Sequence, residues 1–317
     1  MALSNDFTII GIDGGGTRTR GILYKAGKII AQSNAGTTRI GAVGVGESCE
    51  RILTIIADLC NQIEINSSEI DLIVIGLAGV WLEEEKLRST NLLKTLARNQ
   101  KMILNDVVVL SDAELAIEGA FNGEAGVVMI VGTGSIAVAK LPNGNIVRCG
   151  GWGIELDDEG SGAWIGREGL TAIVRSLDNR GKPTKLTNIF AALYPQIDLE
   201  QPRTIVKAYA DKAFEYHMLS PIVMKCAEEG DEVCLEIVNR AANHLIELLE
   251  AISIHYSKSK IIPITLLGGV IESDTLLSKI LYDKIKKLKR IKRVDPKGTA
   301  LDGALAIGKR LLDKILQ

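Results

Sequence analysis

The chain has 317 residues, about twice the usual length of a single domain, so one large domain or two medium ones are expected. Hydrophobic residues make up 46% and charged residues 24%, which is close to the averages for globular proteins. The formal net charge of −2 provides no basic field for a phosphate backbone, so a nucleic acid partner is not expected.

Neither a membrane span nor an export signal is expected from the sequence. No apolar stretch is long enough to cross a bilayer, and MALSNDFTII lacks a cationic start and a cleavage site, so a cytoplasmic protein that does not bind membranes is expected. The five cysteines show no CxxC or Cys/His spacing, which favours buried thiols over a zinc site or disulfides. They are Cys49, Cys60, Cys149, Cys226 and Cys234.

The first elements are predicted to be strands joined by turns. FTIIGID predicts a buried strand, TRTRGILY alternates polar and apolar residues, and IIAQS follows the turn KAGK. Helical and strand patterns then alternate through GESCERILTIIADLCNQIEI, DLIVIGLAG, EEEKLRSTNLLKTLARN and NDVVVLSD. The same opening order returns in GVVMIV, GTGS, IAVAKL, PNGN and IVRCGG. We therefore predict an internal structural repeat of mixed α/β lobes.

Strand patterns are absent between about residues 155 and 260. Helical spacing in TIVKAYADKAFEYHM and DEVCLEIVNRAANHLIELLEAISIHY predicts an inserted helical subdomain there. IIPITLLGGV then restores a strand, and GTALDGALAIGKRLLDKIL predicts a last helix that Thr299 caps.

Three consecutive glycines, Gly14, Gly15 and Gly16, stand between the first two predicted strands in GIDGGGTRTRGILY. Glycine permits backbone angles closed to other residues and lets main-chain N–H groups approach an anion. A P-loop or a dinucleotide fingerprint needs a helix after its glycines, whereas a strand follows here. The turn therefore predicts a phosphate-binding hairpin, and a plain hairpin turn is the alternative.

The second repeat carries a similar loop, and a third glycine pair follows later. The second loop consists of Gly132, Thr133, Gly134 and Ser135. Two such hairpins could grip one triphosphate chain. Gly268 and Gly269 would let a strand end approach a flat adenine, with ordinary strand termination as the alternative.

Asp13 precedes the first glycines. A carboxylate beside a triphosphate requires a cation between them, so we predict Mg²⁺ held through water. The alternative is a turn-initiating Asp that bonds to its own backbone.

The set GIDGGGT, VGTGS, GGWG, DEGS and LLGG resembles the sugar kinase, heat-shock ATPase and actin superfamily. The similarity is stronger to the branch that holds N-acetylglucosamine kinase and the activator ATPases of acyl-CoA reductases and dehydratases, and it extends to the final GALAIG helix. The resemblance implies an α/β fold of two actin-like, ribonuclease H-like lobes with an ATP cleft between them. It also implies Mg²⁺ with ATP, a sugar substrate and a homodimer.

The resemblance also predicts a domain organisation. Residues 1–112 would form the first lobe, with a helix at about 300–317 packing back on it. Residues 113–299 would form the second lobe, with the helical insertion at about 155–260.

The resemblance assigns roles to the loops and to one acid. Thr17 would lie near the transferring phosphate, the 132–135 loop would be the second clamp, and the 268–269 pair would flank adenosine. Asp112 in LSDAELA would accept the proton of the attacking hydroxyl. The alternative is helix capping, because Ser111 and Glu114 form an S-x-x-E box around it.

Sugar contacts are implied for Gly151, Trp152, Gly153 and Asp158. Trp152 could instead be a core aromatic residue, and the run 157–159 could be a solvated helix start. Asp157 stands where these kinases often have Gly, and the sequence offers no account of it.

Thr38 and Arg39 lie in a loop that contacts the sugar in the resembling kinases. Arg39 stands where an Asn is expected, and its guanidinium suits a carboxylate or phosphate. We therefore predict an acidic substrate such as N-acetylmuramate. The alternative is an Arg39 side chain turned to solvent.

These observations predict an amino-sugar kinase that phosphorylates N-acetylglucosamine, N-acetylmuramate or both at the 6-hydroxyl, in cell-wall amino-sugar salvage. One alternative is an activator ATPase with an iron–sulfur cluster, for which Cys149 is the cysteine nearest a predicted site. A sugar-binding sensor is the third possibility, but no basic helix-turn-helix precedes Phe7.

Overall fold

The computed structural model describes residues 7–315 and contains two compact units, each built on its own sheet. The strands are β1 Ile9–Gly14, β2 Arg18–Lys25, β3 Lys28–Gly36, β4 Leu72–Leu77, β5 Asp106–Ser111, β6 Gly126–Val131, β7 Ser135–Lys140, β8 Ile146–Gly150, β9 Ile262–Leu267 and β10 Ile291–Arg293. The helices are α1 Ile40–Gln62, α2 Glu83–Asn99, α3 Asp112–Phe121, α4 Gly162–Leu177, α5 Leu186–Leu193, α6 Arg203–Ala210, α7 Tyr216–Glu228, α8 Glu232–Ser253, α9 Gly269–Glu272, α10 Leu276–Ile285 and α11 Ala300–Ile315. Within residues 7–315, no helix combines the length and the apolar character needed to cross a membrane.

Unit 1 comprises the described residues up to Gly126 and those from Asp295 onward. Its strand order is β3-β2-β1-β4-β5, with β1 antiparallel to β2 and parallel to β4. Side chains alternate between the two faces of the sheet. Ile10 and Ile12 pack in the cluster that includes α1 and α2, whereas Ile9 packs with Leu115 of α3 and with α11.

The last helix packs against α3 through glycines. A Cβ atom at Gly119 would overlap the backbone of Thr299, and one at Gly303 would overlap the backbone of Leu115. This close approach places α3 in unit 1, although the sequence analysis expected the second lobe to begin at residue 113. Thr299 caps α11 as predicted, because its hydroxyl accepts the Asp302 N–H at 3.3 Å.

Unit 2 comprises Val127–Val294 and has the strand order β10-β9-β6-β7-β8. Read from the other edge, this is the order of unit 1, so the predicted internal repeat is confirmed. Helices α4–α8 fill the segment between β8 and β9.

The pattern TIVKAYADKAFEYHM predicted one continuous helical stretch, and this prediction is wrong. The helix is interrupted between α6 and α7, because Lys212 adopts a φ of 55° and Glu215 is extended. Phe214 lies in this break and is buried against Phe190, with ring centroids 5.2 Å apart. Burial of a large aromatic side chain therefore prevails over helical spacing at this point.

Candidate active site

The ends of three parallel strands meet at one edge of the unit 1 sheet. Gly14 of β1 pairs with Leu77 of β4, and Leu77 pairs with Ser111 of β5. Since parallel strands end on the same side, the sequence-distant Asp13 and Asp112 are brought to this edge.

The first glycine turn is constrained at one end and open at the other. A Cβ atom at Gly14 would lie 2.7 Å from the carbonyl oxygen of Gly76 and 2.9 Å from Leu77 Cδ2. Gly16 has no heavy atom within 4 Å of its Cβ position, and Gly16 and Thr17 are exposed.

The predicted reason for the three glycines was partly wrong. Gly14, Gly15 and Gly16 all lie outside the left-handed region of φ. Gly14 is needed because the neighbouring strand approaches closely, and a special backbone angle plays no part.

Threonines connect the loop after β3 to the glycine turn. The Thr37 hydroxyl donates to the Gly15 carbonyl at 3.1 Å. Thr38, predicted to bind substrate, is fully buried, and its hydroxyl lies 2.9 Å from that of Thr19. Thr37 was missed by sequence reasoning because only the fold brings it to the turn.

Among residues 7–315, no backbone N–H donates to the Asp13 carboxylate, and an arginine holds it instead. The Arg20 guanidinium on β2 lies 2.7 Å from Asp13 Oδ2. The two residues pair directly across the β1–β2 ladder.

The predicted capping box around Asp112 is present, and Asp112 itself is not the cap. Ser111 Oγ accepts the Glu114 N–H at 3.1 Å, and Glu114 Oε2 accepts the Ser111 N–H at 2.7 Å. The Asp112 carboxylate accepts the adjacent Ala113 N–H at 2.9 Å. Capping and catalysis are therefore separable at this helix start.

Burial, reinforced by the charge of Asp13, raises the pKa of Asp112 to about 6. The Ala113 N–H and the Arg39 guanidinium act in the opposite direction. An Asp that only complemented the helix dipole would be expected to have a lowered pKa. A raised carboxylate pKa is a common feature of functional acids and bases.

Arg39 immediately precedes α1, and its side chain is exposed. Among residues 7–315, no carboxylate lies within salt-bridge distance of it. Its backbone N–H donates to Thr37 Oγ1 at 3.0 Å, so the loop conformation is fixed locally.

Gly76 was also missed by sequence reasoning. A Cβ atom there would lie 3.2 Å from Asp112 Cα and 2.7 Å from Leu115 Cδ2. The glycine in LIVIGL therefore allows the start of α3, with Asp112, to pack directly on β4.

In unit 2, the N-terminus of α4 supports the second glycine loop. The Gly162 and Ala163 N–H groups donate to the Gly132 and Thr133 carbonyls at 2.9 and 3.0 Å. The loop is thus held by the first amides of a helix, which have no partner within that helix.

Asp158 also supports this loop. It is only 7% exposed and adopts a φ of 55°, so it is not part of a solvated helix start. Its carboxylate accepts the Ser135 N–H at 3.3 Å and closely approaches Gly134. Ser135 Oγ donates to the carbonyl of Glu159, the residue after Asp158, at 2.8 Å.

Trp152 is 63% exposed, so the alternative of a core aromatic residue is wrong. The Arg148 guanidinium lies 4.0 Å from the centroid of its ring, and Arg148 Nη1 donates to the Gly150 and Gly151 carbonyls at 3.2 Å. Asp157 Oδ2 accepts the Trp152 N–H at 3.3 Å, which gives Asp157 a structural role.

The third glycine pair follows β9. Gly268 has a φ of 103°, and a Cβ atom there would overlap the Val131 backbone, so strain and packing both require glycine. Gly269 begins α9 and has open space around its Cβ position.

Cys149 is half-buried, and burial together with the charge of Asp157 raises the pKa of its thiol. A raised pKa disfavours the thiolate that metal binding needs.

The repeated strand order and the polar strand ends define the fold as actin-like α/β, with one such sheet in each unit. The chain belongs to the BadF/BadG/BcrA/BcrD ATPase family, whose sequence profile matches residues 10–308.

Two relatives align with most of the chain. The N-acetylmuramic acid/N-acetylglucosamine kinase of Clostridium acetobutylicum is 28% identical over 314 residues, which is 96% of this chain and 99% of that protein. The N-acetyl-D-glucosamine kinase of Dictyostelium discoideum is 28% identical over 291 residues, covering 87% and 89% of the two chains.

Solved structures share the fold. A candidate N-acetylglucosamine kinase from Chromobacterium violaceum superposes with a TM-score of 0.73 at 24% identity, covering 95% of this chain and 98% of that chain. The ROK hexokinase of Thermus thermophilus gives a TM-score of 0.58 at 14% identity, covering 95% and 98%.

Proposed function

We propose that the protein is an ATP-dependent amino-sugar kinase that transfers the γ-phosphate of ATP to the 6-hydroxyl of N-acetylglucosamine, N-acetylmuramate or both. The observation that carries this proposal is Asp112, whose pKa is raised to about 6 while Ser111 and Glu114 cap the helix. The names of the two relatives that match most of the chain support the same reaction class.

Asp112 would accept the proton of the attacking sugar hydroxyl. A pKa of about 6 leaves its carboxylate mostly ionised at neutral pH and more basic than an ordinary Asp. Phosphoryl transfer needs mainly correct positioning and a late proton acceptor, which one carboxylate can supply.

In unit 1, the exposed residues Gly16 and Thr17 would face the phosphates of ATP with their main-chain N–H groups. In unit 2, residues 132–135 would bind phosphate as well, and Gly268 with Gly269 would flank adenosine. The support of the 132–135 loop by α4 and Asp158 is consistent with a rigid anion-binding turn.

The residues present fit a Mg²⁺ ion that Asp13 would hold through water. The charge of Asp13 raises the pKa of Asp112, so two carboxylates repel each other at this strand edge. Arg20 contacts Asp13 through Oδ2. The ion would supply neutralisation of phosphate charge.

Arg39 is proposed to bind the carboxylate of N-acetylmuramate. Its exposed guanidinium has no carboxylate partner among residues 7–315, and it is close enough to Asp112 to lower the pKa of that residue. The Arg39→Ala variant should lose more activity on N-acetylmuramate than on N-acetylglucosamine. The assay belongs at pH 8, where Asp112 stays ionised, and equal losses on both sugars would remove this role.

Trp152, with Gly151 and Gly153, is proposed to line the sugar in unit 2. The Arg148 guanidinium lies on its exposed ring, and the Asp157 carboxylate accepts its backbone N–H and so fixes the local main chain. Asp158 is proposed to contribute to the same subsite.

The deciding experiment measures ADP release from Mg-ATP with glucose, glucosamine, N-acetylglucosamine and N-acetylmuramate, alongside Asp112→Asn. Turnover that needs an amino sugar and falls about 10²–10⁴-fold in the variant supports the kinase. ADP release that does not depend on any sugar supports the activator ATPase instead.

A homodimer and a cytoplasmic location are also part of the proposal. Light scattering tests whether the protein is a homodimer.

A further inference from the structure

A histidine and two glutamates that the proposed reaction does not use form a compact cluster in unit 2. His244 and Glu247 lie one turn apart on α8, and Glu159 lies just before α4. His244 Nδ1 is 3.3 Å from Glu159 Oε2 and 3.3 Å from Glu247 Oε2. One ligand atom from each residue lies within 4.8 Å of the others.

The two nitrogen–oxygen separations match the edges of a tetrahedral metal site. Nitrogen and oxygen ligands lie about 2.0–2.1 Å from Zn²⁺, which places neighbouring ligand atoms about 3.3–3.4 Å apart. Both nitrogen–oxygen distances in the cluster fall next to that value. Three protein ligands would leave the fourth position for water.

The charges in the cluster are also compatible with a cation, which can reach the exposed Glu159 and Glu247 from solvent. Within residues 7–315, Glu159 and Glu247 each form a salt bridge only with His244. A single Nδ1–H cannot donate a well-directed hydrogen bond to two carboxylates at once. A divalent cation at the centre would contact all three groups.

The surroundings hold the imidazole in place. Its ring meets the Trp164 ring edge-on, with the centroids 5.1 Å apart at 71°. Arg240, one turn earlier on α8, pairs with Glu168 at 2.7 Å and therefore does not neutralise the cluster. A fixed imidazole lowers the cost of ordering the ligands.

We propose that Glu159, His244 and Glu247 bind a transition-metal ion of the Zn²⁺ type. An imidazole ligand favours zinc over magnesium, which prefers oxygen ligands alone. The site would join α8 to the segment that supports the second glycine loop. Ser135 donates its hydroxyl to the Glu159 carbonyl at 2.8 Å and its N–H to Asp158 at 3.3 Å, so bound metal would stiffen that loop.

The test is a calorimetric titration of chelator-treated protein with Zn²⁺ alone. The wild type should bind one ion per chain, and His244→Gln and Glu247→Gln should weaken binding by at least about tenfold. His217→Gln is the matched control, since His217 Nδ1 also lies 3.3 Å from a glutamate oxygen, that of Glu215. Within residues 7–315 it forms no salt bridge with a second carboxylate. This control and Cys149→Ser should bind as the wild type does.

Thermal unfolding separates loss of the site from loss of the fold. Without metal, all variants should unfold near the wild-type temperature, and Zn²⁺ should raise that temperature in the wild type and His217→Gln but not in His244→Gln. No saturable binding by the wild type, or equal loss in the His217 and His244 variants, would overturn the proposal. Since neither measurement needs turnover, the result is independent of the kinase proposal.

Discussion

The two units repeat one strand order but support their glycine loops differently. In unit 1, Gly14 is locked by close packing against Gly76 and Leu77, Thr37 holds the Gly15 carbonyl, and only the Gly16 end of the turn is open. In unit 2, the loop at 132–135 is held by hydrogen bonds from α4 and to Asp158. The difference shows that topology determines where such a loop lies, whereas local contacts decide how rigid it is.

The largest expected effect is on unit 1 packing. Gly14→Ala would force Cβ to within 2.7 Å of the Gly76 carbonyl oxygen, and overpacking of this kind costs about 1–3 kcal/mol of unfolding free energy. Urea unfolding measures the loss. Gly16→Ala is the matched control, with open space at its Cβ, and should change stability by about 0.5 kcal/mol or less. Equal losses in both variants would show that the turn is not held by packing at Gly14.

The corresponding test in unit 2 is Asp158→Ala. It removes the acceptor for the buried Ser135 N–H, and an unsatisfied donor costs about 1–3 kcal/mol. Asp158→Asn should lose less, because Asn tolerates the positive φ at this position.

Steady-state kinetics distinguish the two roles of Asp158. If it mainly supports the loop, Asp158→Asn should raise KM for ATP more than KM for the sugar. A larger change in the sugar KM would favour direct contact with sugar hydroxyls, as the resemblance implies.

Asp112→Asn should stabilise the protein while sharply lowering turnover. The pKa of Asp112 is about 6 in the fold against an ordinary value of 3.8, so its ionisation opposes folding as the pH rises from about 4 to 6. The variant should gain about 3 kcal/mol at pH 8 and little below pH 4. Urea unfolding at both pH values checks this, and an equal gain at pH 4 would point to packing instead of charge.

The smallest effects are opposite shifts of one pKa. Arg39→Ala should raise the pKa of Asp112, because Arg39 stabilises the ionised form, and Asp13→Asn should lower it. Carboxyl NMR titration of the ligand-free protein measures both shifts. Arg98→Ala, at the end of α2, serves as a remote control. Shifts in the same direction would contradict the proposed arrangement of charges.

Much of the fold was readable from local patterns. Alternation and glycine turns located β1–β3 and β6–β8, and the S-x-x-E spacing located the start of α3. The break between α6 and α7 was not readable, since it depends on Phe214 packing against Phe190 across the helical insertion. Local periodicity carries no information about such a partner.

The site divides in the same way. The sequence by itself determined which residues stand at the strand ends and glycine turns, because β-strand and cap signals act over a few residues. Only the tertiary structure decided that the missing side chain of Gly76 lets Asp112 pack on β4. The same is true of the Arg148 guanidinium over the Trp152 ring and of the hydrogen bond from the Ser135 N–H to Asp158. The same holds for the raised pKa of Asp112, since burial and the charges of Asp13 and Arg39 act on it through space from residues far apart in the chain.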